Sequence, residues 1–310
     1  MSGALLVAVC LFAGWALRRR GRVDEAFANA LARFVVDAAL PCLTFRGVRA
    51  LRAADSSALW VPVASAWIAF AAAALFLWLA ARVLRWDRAT TGSLLVTATV
   101  GNTAFVGLPL IEGLYGRDAI ATATLVDQAG SFVIVSTATV LLAQRFADRT
   151  DRTKHPSRSM LRKLLTFPPV VGSLLGVASR GVALPTALDA VIERLASLVV
   201  PLALVSVGVR LSLDARALRR DAGPIAVGLA VKLVLSPAVA LAAAVALGLR
   251  GQTLAITIAQ CAMAPMVTAG LVATEHDLRP ELASSLVALG VFASLVTVPV
   301  WRAVLAASGL

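Results

Sequence analysis

GNTAFVGLPLIEGLYG (101–116) and AQCAMAPMVTAG (259–270) decide how this 310-residue chain is read. Each lies inside a long apolar run, and each breaks that run near its middle with an amide side chain, glycine and proline. A helix crossing hydrocarbon must satisfy every backbone N–H and C=O internally. Proline removes a donor and glycine loosens the turn, so such a break frees groups that only ligand, water or packed protein can satisfy at that depth. Matched interruptions in corresponding halves of a chain are the sequence mark of a carrier's binding site.

Outward from these stretches the chain is apolar nearly throughout. It is 59% hydrophobic and 15% charged, with a mean hydropathy of +0.86; soluble domains carry about 25% charged residues. Crossing some 30 Å of hydrocarbon takes about 20 apolar residues. Ten candidate spans result: 3–17, 27–48, 58–81, 91–115, 119–144, 165–184, 187–211, 223–247, 251–274 and 281–303. Arg18, Arg19 and Arg20 follow the first apolar run instead of preceding it, so that run is read as a span and not as a secretory signal. The net charge of +12 is strung between apolar runs without aromatic interleaving, which argues against nucleic acid as a partner. Cys10, Cys42 and Cys261 stand singly and read as small core residues.

Basic residues give the orientation, because cytoplasmic loops retain Lys and Arg. Nineteen follow odd-numbered spans and seven lie on the opposite side. Both termini are therefore expected outside the cytoplasm of a bacterial inner membrane, with the basic stretch 146–164 within it. That stretch divides the chain into 1–145 and 165–310, five spans each. Since five is odd, homologous halves would be inverted relative to one another. LPCLTFRGVRAL (40–51) and VPLALVSVGVRL (200–211) support the match: Pro41 aligns with Pro201, and a one-residue slip brings Gly47-Val48-Arg49 onto Gly208-Val209-Arg210. The expected fold is an all-α membrane protein of ten transmembrane helices in two inverted five-helix repeats, with the fourth and ninth helices broken.

The stretch 101–116, together with ATEHDLRPELASSLVALG (273–290), closely resembles the most characteristic segments of the auxin efflux carrier family, and GWALRRRGRVDEAFANALARFVVDAALP (14–41) resembles its bacterial branch. The resemblance implies a crossover of the broken helices, and a mobile transport domain sliding against a scaffold of helices 1, 2, 6 and 7. It places Pro109 and Pro265 at the crossover beside Gly107, and gives Asn102 and Gln128 as binding residues. The implied substrate is a small organic anion, a carboxylate such as malonate, malate or an auxin-like acid. Plant members carry an acid and a lysine on helix 3. This chain has no ionisable residue in 58–81, so that coupling site does not transfer.

Counting from the ends of the spans puts Asn102, Asp127, Gln128, Lys232 and Gln260 near mid-depth. Asn102 either caps the second half-helix or binds substrate, and Gln128 either bridges helices or binds. Asp127 costs about 2.5–3.5 kcal/mol to insert; it either pairs with Lys232 or couples transport to protons. Lys232 lies on the repeat mate of the third span, where it can stand in for the missing charges, and Lys232 and Gln260 are expected, with Asn102 and Gln128, to bind the substrate. Glu112 is a second coupling candidate; sodium at freed carbonyls is an alternative to protons, and uniport needs neither. Arg33 and Asp37, four apart, are expected to pair within their helix. No cofactor is called for, a homodimer is possible, and lipid is the surrounding partner. An enzyme is disfavoured, since HExxH, GxSxG and a His cluster are all missing. A gated channel or a membrane sensor on the same fold remains the alternative to a carrier.

Overall fold

The computed structural model describes residues 2–50, 59–147, 166–211 and 215–309, all helix and connections with no strand among them. The basic stretch 146–164 lies outside the described residues from 148 onward. Thirteen helical elements are described: α1 (Ser2–Arg19), α2 (Glu25–Ala50), α3 (Trp60–Val83), α4 (Arg88–Thr97), α5 (Thr103–Tyr115), α6 (Arg117–Phe146), α7 (Pro168–Ala178), α8 (Thr186–Arg210), α9 (Ala215–Arg220), α10 (Ala222–Ala246), α11 (Gly251–Cys261), α12 (Val267–Glu275) and α13 (Pro280–Ala307).

Local chemistry sets the boundaries. Asp24 and Asp87 cap α2 and α4, their carboxylates accepting from Phe27 N at 2.9 Å and Thr90 N at 2.6 Å. Gly116, at φ +86°, makes the turn between α5 and α6. Prolines open α7 and α13, where a missing N–H costs nothing.

Six described helices are long and apolar enough to cross a membrane: α2, α3, α6, α8, α10 and α13. The runs 91–115 and 251–274 each divide into two shorter helices, α4 with α5 and α11 with α12. Among the described residues of the run 165–184, only the 11 of α7 are helical, about 16 Å of rise. Apolar composition over 20 residues does not fix a continuous helix when glycine, proline and polar groups let the backbone find partners elsewhere.

The helices pack as two groups. In the first, α1 lies along α8 and α7 along the second half of α2. Both seams are built on glycine. A Cβ on Gly14 or Gly208 would run into the backbone of the facing helix, at Val205 and Leu11, and one on Gly172 or Gly176 would run into Pro41 or Phe45. Close approach of backbones replaces the hydrophobic drive that lipid cannot supply. The second group joins α3 with α10, and α4 with α12, α13 and the end of α6.

Arginines close the ends. Arg49 donates to Ser179 and Val182 carbonyls beyond α7, while Arg180 donates to Val48 O of α2 at 2.7 Å, so each helix end is capped by the other's arginine. Arg46 pairs with Asp189 at 2.7 Å. At the other face of the molecule, buried Asp221 accepts from Arg279 at 2.6 Å, and Arg279 also donates to Thr90, linking the starts of α4, α10 and α13.

Candidate functional site

The two interruptions, residues 98–102 and 262–266, lie against each other. Gly101 and Pro265 form an antiparallel bridge, in which Asn102 N donates to Ala264 O at 2.7 Å and Met266 N donates to Val100 O at 3.0 Å. The backbone groups freed by each break are thus satisfied by the other break.

Beyond this bridge the chain resumes as α5 and α12, whose first turns both line the floor of a cavity of about 830 Å³. Asn102, Ala104 and Phe105 come from one half-helix, and Met266, Val267 and Thr268 from the other. Asn102 Oδ1 caps its helix at Phe105 N (3.3 Å), while its buried Nδ2 has no partner. Met266 offers no side-chain cap to α12. Two positive dipole ends therefore converge on one volume, the arrangement that favours an anion.

Asp127, on α6, joins this floor; it is 3% exposed and accepts a hydrogen bond from Thr103 Oγ1 at 2.5 Å. The walls are mostly apolar, with Leu40, Phe132, Val135, Val140 and Phe167 among them. Toward the mouth stand Asn29, Arg33, Asp37, Gln144, Arg210, Glu275 and His276. Arg210 donates to Asn29 Oδ1 at 2.7 Å.

Much of the lining is set by π-helical turns, at 35–39 in α2, 103–107 in α5, and 126–132 and 135–139 in α6. Such turns insert a residue into the helical register and recur at functional sites. The turn at 35–39 also corrects the expectation for Arg33 and Asp37. Among the described residues they form no ion pair with each other. The wider turn carries Asp37 out of the i, i+4 register, and both side chains face the cavity.

The pairing of Asp127 with Lys232 is likewise not formed. Lys232 Nζ donates to Cys261 O at 2.8 Å, at the end of α11, and lines a separate chamber of about 20 Å³. Each charged group has found its partner at the edge of a break: the Thr103 hydroxyl at the start of α5 for one, the Cys261 carbonyl at the end of α11 for the other.

The other expected site residues do not line the large cavity. Gln260 donates from Nε2 to Ala123 O at 3.0 Å and Thr103 O at 3.4 Å, and its Oε1 sits where a Cβ on Gly107 would be. Gln128 bridges α6 to α7 through Pro169 O (3.0 Å) and Ser173 Oγ (2.8 Å). Glu112 is at the far end of α5, sharing Arg117 with Glu193 at 3.3 and 2.7 Å. Pro265 is in the bridge itself with its ring against Gly290, whereas Pro109 lies past the π turn, inside α5. Thr268, Arg210 and His276 line the cavity without having been named as site residues, and Thr103 reaches it only through its hydrogen bond to Asp127. A hydroxyl beside Asn102 was the available signal for Thr103; the side toward which α12 ends was not readable for His276.

Comparison with known proteins accords with this geometry. The profile of a family described as membrane transport protein matches residues 2–302. An uncharacterized transporter of Methanothermobacter thermautotrophicus is 28% identical over 304 residues, 97% of each chain. A probable auxin efflux carrier component 5b of Oryza sativa subsp. japonica is 28% identical over 67% of this chain and 66% of its own. Auxin efflux carrier component 2 of Arabidopsis thaliana is 28% identical over 45% of this chain and 22% of its own length. Together with the all-helical architecture and its membrane-length helices, the match over nearly the whole sequence places this chain in the auxin efflux carrier family, as a multi-pass membrane transporter and not an enzyme.

Proposed function

We propose that the chain is a secondary carrier for a small organic anion, a carboxylate with hydrocarbon character such as malonate, malate or an auxin-like acid. The observation that carries this reading is the convergence of the first turns of α5 and α12 on the floor of one apolar-walled cavity. Dipole ends and the Asn102 amide take the carboxylate, and the Phe132, Val135 and Phe167 wall takes the hydrocarbon.

Ten spans in two inverted repeats, 1–145 and 165–310, underlie this reading. Reciprocity of contacts supports it: exchanging the halves turns the seam of α1 with α8 into that of α7 with α2, and turns the bridge of Gly101 with Pro265 into itself. The glycine-welded group α1, α2, α7 and α8 is the scaffold, and the group holding the breaks moves against it, carrying the cavity floor with it in an elevator-type cycle. With basic loops inside, the cavity mouth, framed by the N-terminal end of α2 and the C-terminal ends of α6, α8 and α12, faces the cytoplasm, and both termini lie outside. Asp127, buried beside the anion position, is the coupling group: protonated, it removes a charge that would repel the carboxylate.

A gated channel is the second reading, and counterflow separates the two. Preloading vesicles containing purified protein with unlabelled carboxylate should accelerate entry of labelled carboxylate. Equal entry with and without preload, at rates that rise linearly with concentration, would establish a pore.

A further inference from the structure

The small chamber behind the bridge is lined by an unusual set of groups. Around Lys232 stand Thr99, Ser131, Ser236, Gln260 and Cys261, and Gly101 closes the side toward the breaks. Lys232 is 3% exposed, and of its three donors one goes to Cys261 O. Ser236 Oγ is buried without a hydrogen-bond partner. A Cβ on Gly101 would lie 3.2 Å from Nζ and 3.3 Å from Gln260 O, so glycine is what lets the ammonium approach the bridge. Cys261 ends α11, and the last carbonyls of a helix carry its negative dipole end and lack intrahelical partners.

Three hydroxyls and the Cys261 carbonyl, set against an apolar side formed by Ala66, Phe70 and Ile134, surround a space of one-water size and offer the oxygen donors that a hard monovalent cation takes. Here the cation is covalently attached. We propose that Lys232 is a tethered substitute for a bound alkali ion, its ammonium occupying an oxygen-lined site behind the bridge and holding the two breaks together without any sodium. A permanently occupied site cannot fill and empty with the transport cycle, so sodium drops out as a coupling ion and the protonatable group on the cavity side is left to do that work. The second consequence rests on the carrier reading; the site itself does not.

The test is thermal unfolding of the purified protein in detergent, with sodium chloride exchanged for N-methylglucamine chloride at constant ionic strength. Wild type should melt at the same temperature in both. Lys232→Ser, which removes the ammonium and leaves room, should melt lower in N-methylglucamine and regain part of the loss with sodium, saturably. Lys232→Met, which fills the space without charge, should melt lower in both salts alike. A sodium-dependent rise in wild type would overturn the proposal by itself, and so would wild-type stability in both variants irrespective of salt. Because melting is read without substrate or flux, failure here leaves the carrier reading untouched, and a negative counterflow result leaves this one untouched.

Discussion

Thr103 Oγ1 and Asp127 Oδ1 lie 2.5 Å apart, so the first residue of α5 is tied to the middle of α6 at the depth where the two breaks meet. Asp127 thereby belongs to the cavity lining and not to a charge pair with Lys232. Asp127→Asn should keep the hydrogen bond to Thr103 and keep exchange, while losing accumulation driven by a pH gradient. Counterflow and gradient-driven uptake measured on the same vesicles check this; an Asp127→Asn variant that still concentrates substrate under a pH gradient would remove Asp127 from coupling.

Gln260 and Gly107 compete for one space. Gly107→Ala presses a methyl group onto Gln260 Oε1, and overpacking of this kind costs about 1–3 kcal/mol. Gln260→Ala loses the bonds to Ala123 and Thr103 but vacates that space. The double variant should therefore be more stable than the sum of the two single losses predicts, by the non-additivity that contacting residues show. Melting temperatures of the four proteins decide it.

Glycines on the seams should separate cleanly from those in open surroundings. Gly208→Ala drives a Cβ into the backbone at Leu11, where no side chain can yield, whereas Gly223 has nothing within 4 Å of the added atom. Loss of monodisperse folded protein is expected for Gly208→Ala, with Gly223→Ala close to wild type. Size-exclusion chromatography of fluorescently tagged variants reads both.

The two prolines should behave differently. Pro265→Ala changes the bridge and the ring contact with Gly290, while Pro109→Ala alters a residue already inside α5. At equal expression, uptake should fall far more for Pro265→Ala. Equal uptake by both would mean that the ring in the bridge has no part in transport.

Topology can be read directly. With nineteen basic residues on one side against seven on the other, a fluorescent reporter that matures only in the cytoplasm should stay dark when fused after Leu310 and light up when inserted near residue 153. Three of the seven, Arg46, Arg49 and Arg180, are engaged with Asp189 or with carbonyls at helix ends, so their place on the minority side has a structural cause.

The breaks were legible in the sequence because their chemistry is covalent: glycine, proline and amide side chains inside apolar runs state that regular helix fails there. Counting residues set Asn102 and Asp127 at one level, and the structure brings both to the same cavity. Direction was another matter. Gln128, Gln260 and Lys232 share that depth, yet they turn toward α7, α5 and the small chamber, because azimuth depends on which face of a helix its neighbours cover. Five-residue π turns at 35–39 and 103–107 shift that azimuth further. They arise from tertiary packing and leave no pattern in the residues, which is why Arg33 and Asp37 read as a helical pair from spacing alone.

The bridge between Gly101 and Pro265 is made of main-chain atoms on both sides. Its two hydrogen bonds therefore make no use of the side chains of Phe105, Met266 and Thr268, although Asn102 still caps α5 and Lys232 still bonds Cys261 O behind the joint. On the carrier reading proposed above, substitutions at Phe105, Met266 and Thr268 retune which molecule is accepted while the framework persists. A lineage built on such a joint can diverge in cargo far faster than in shape.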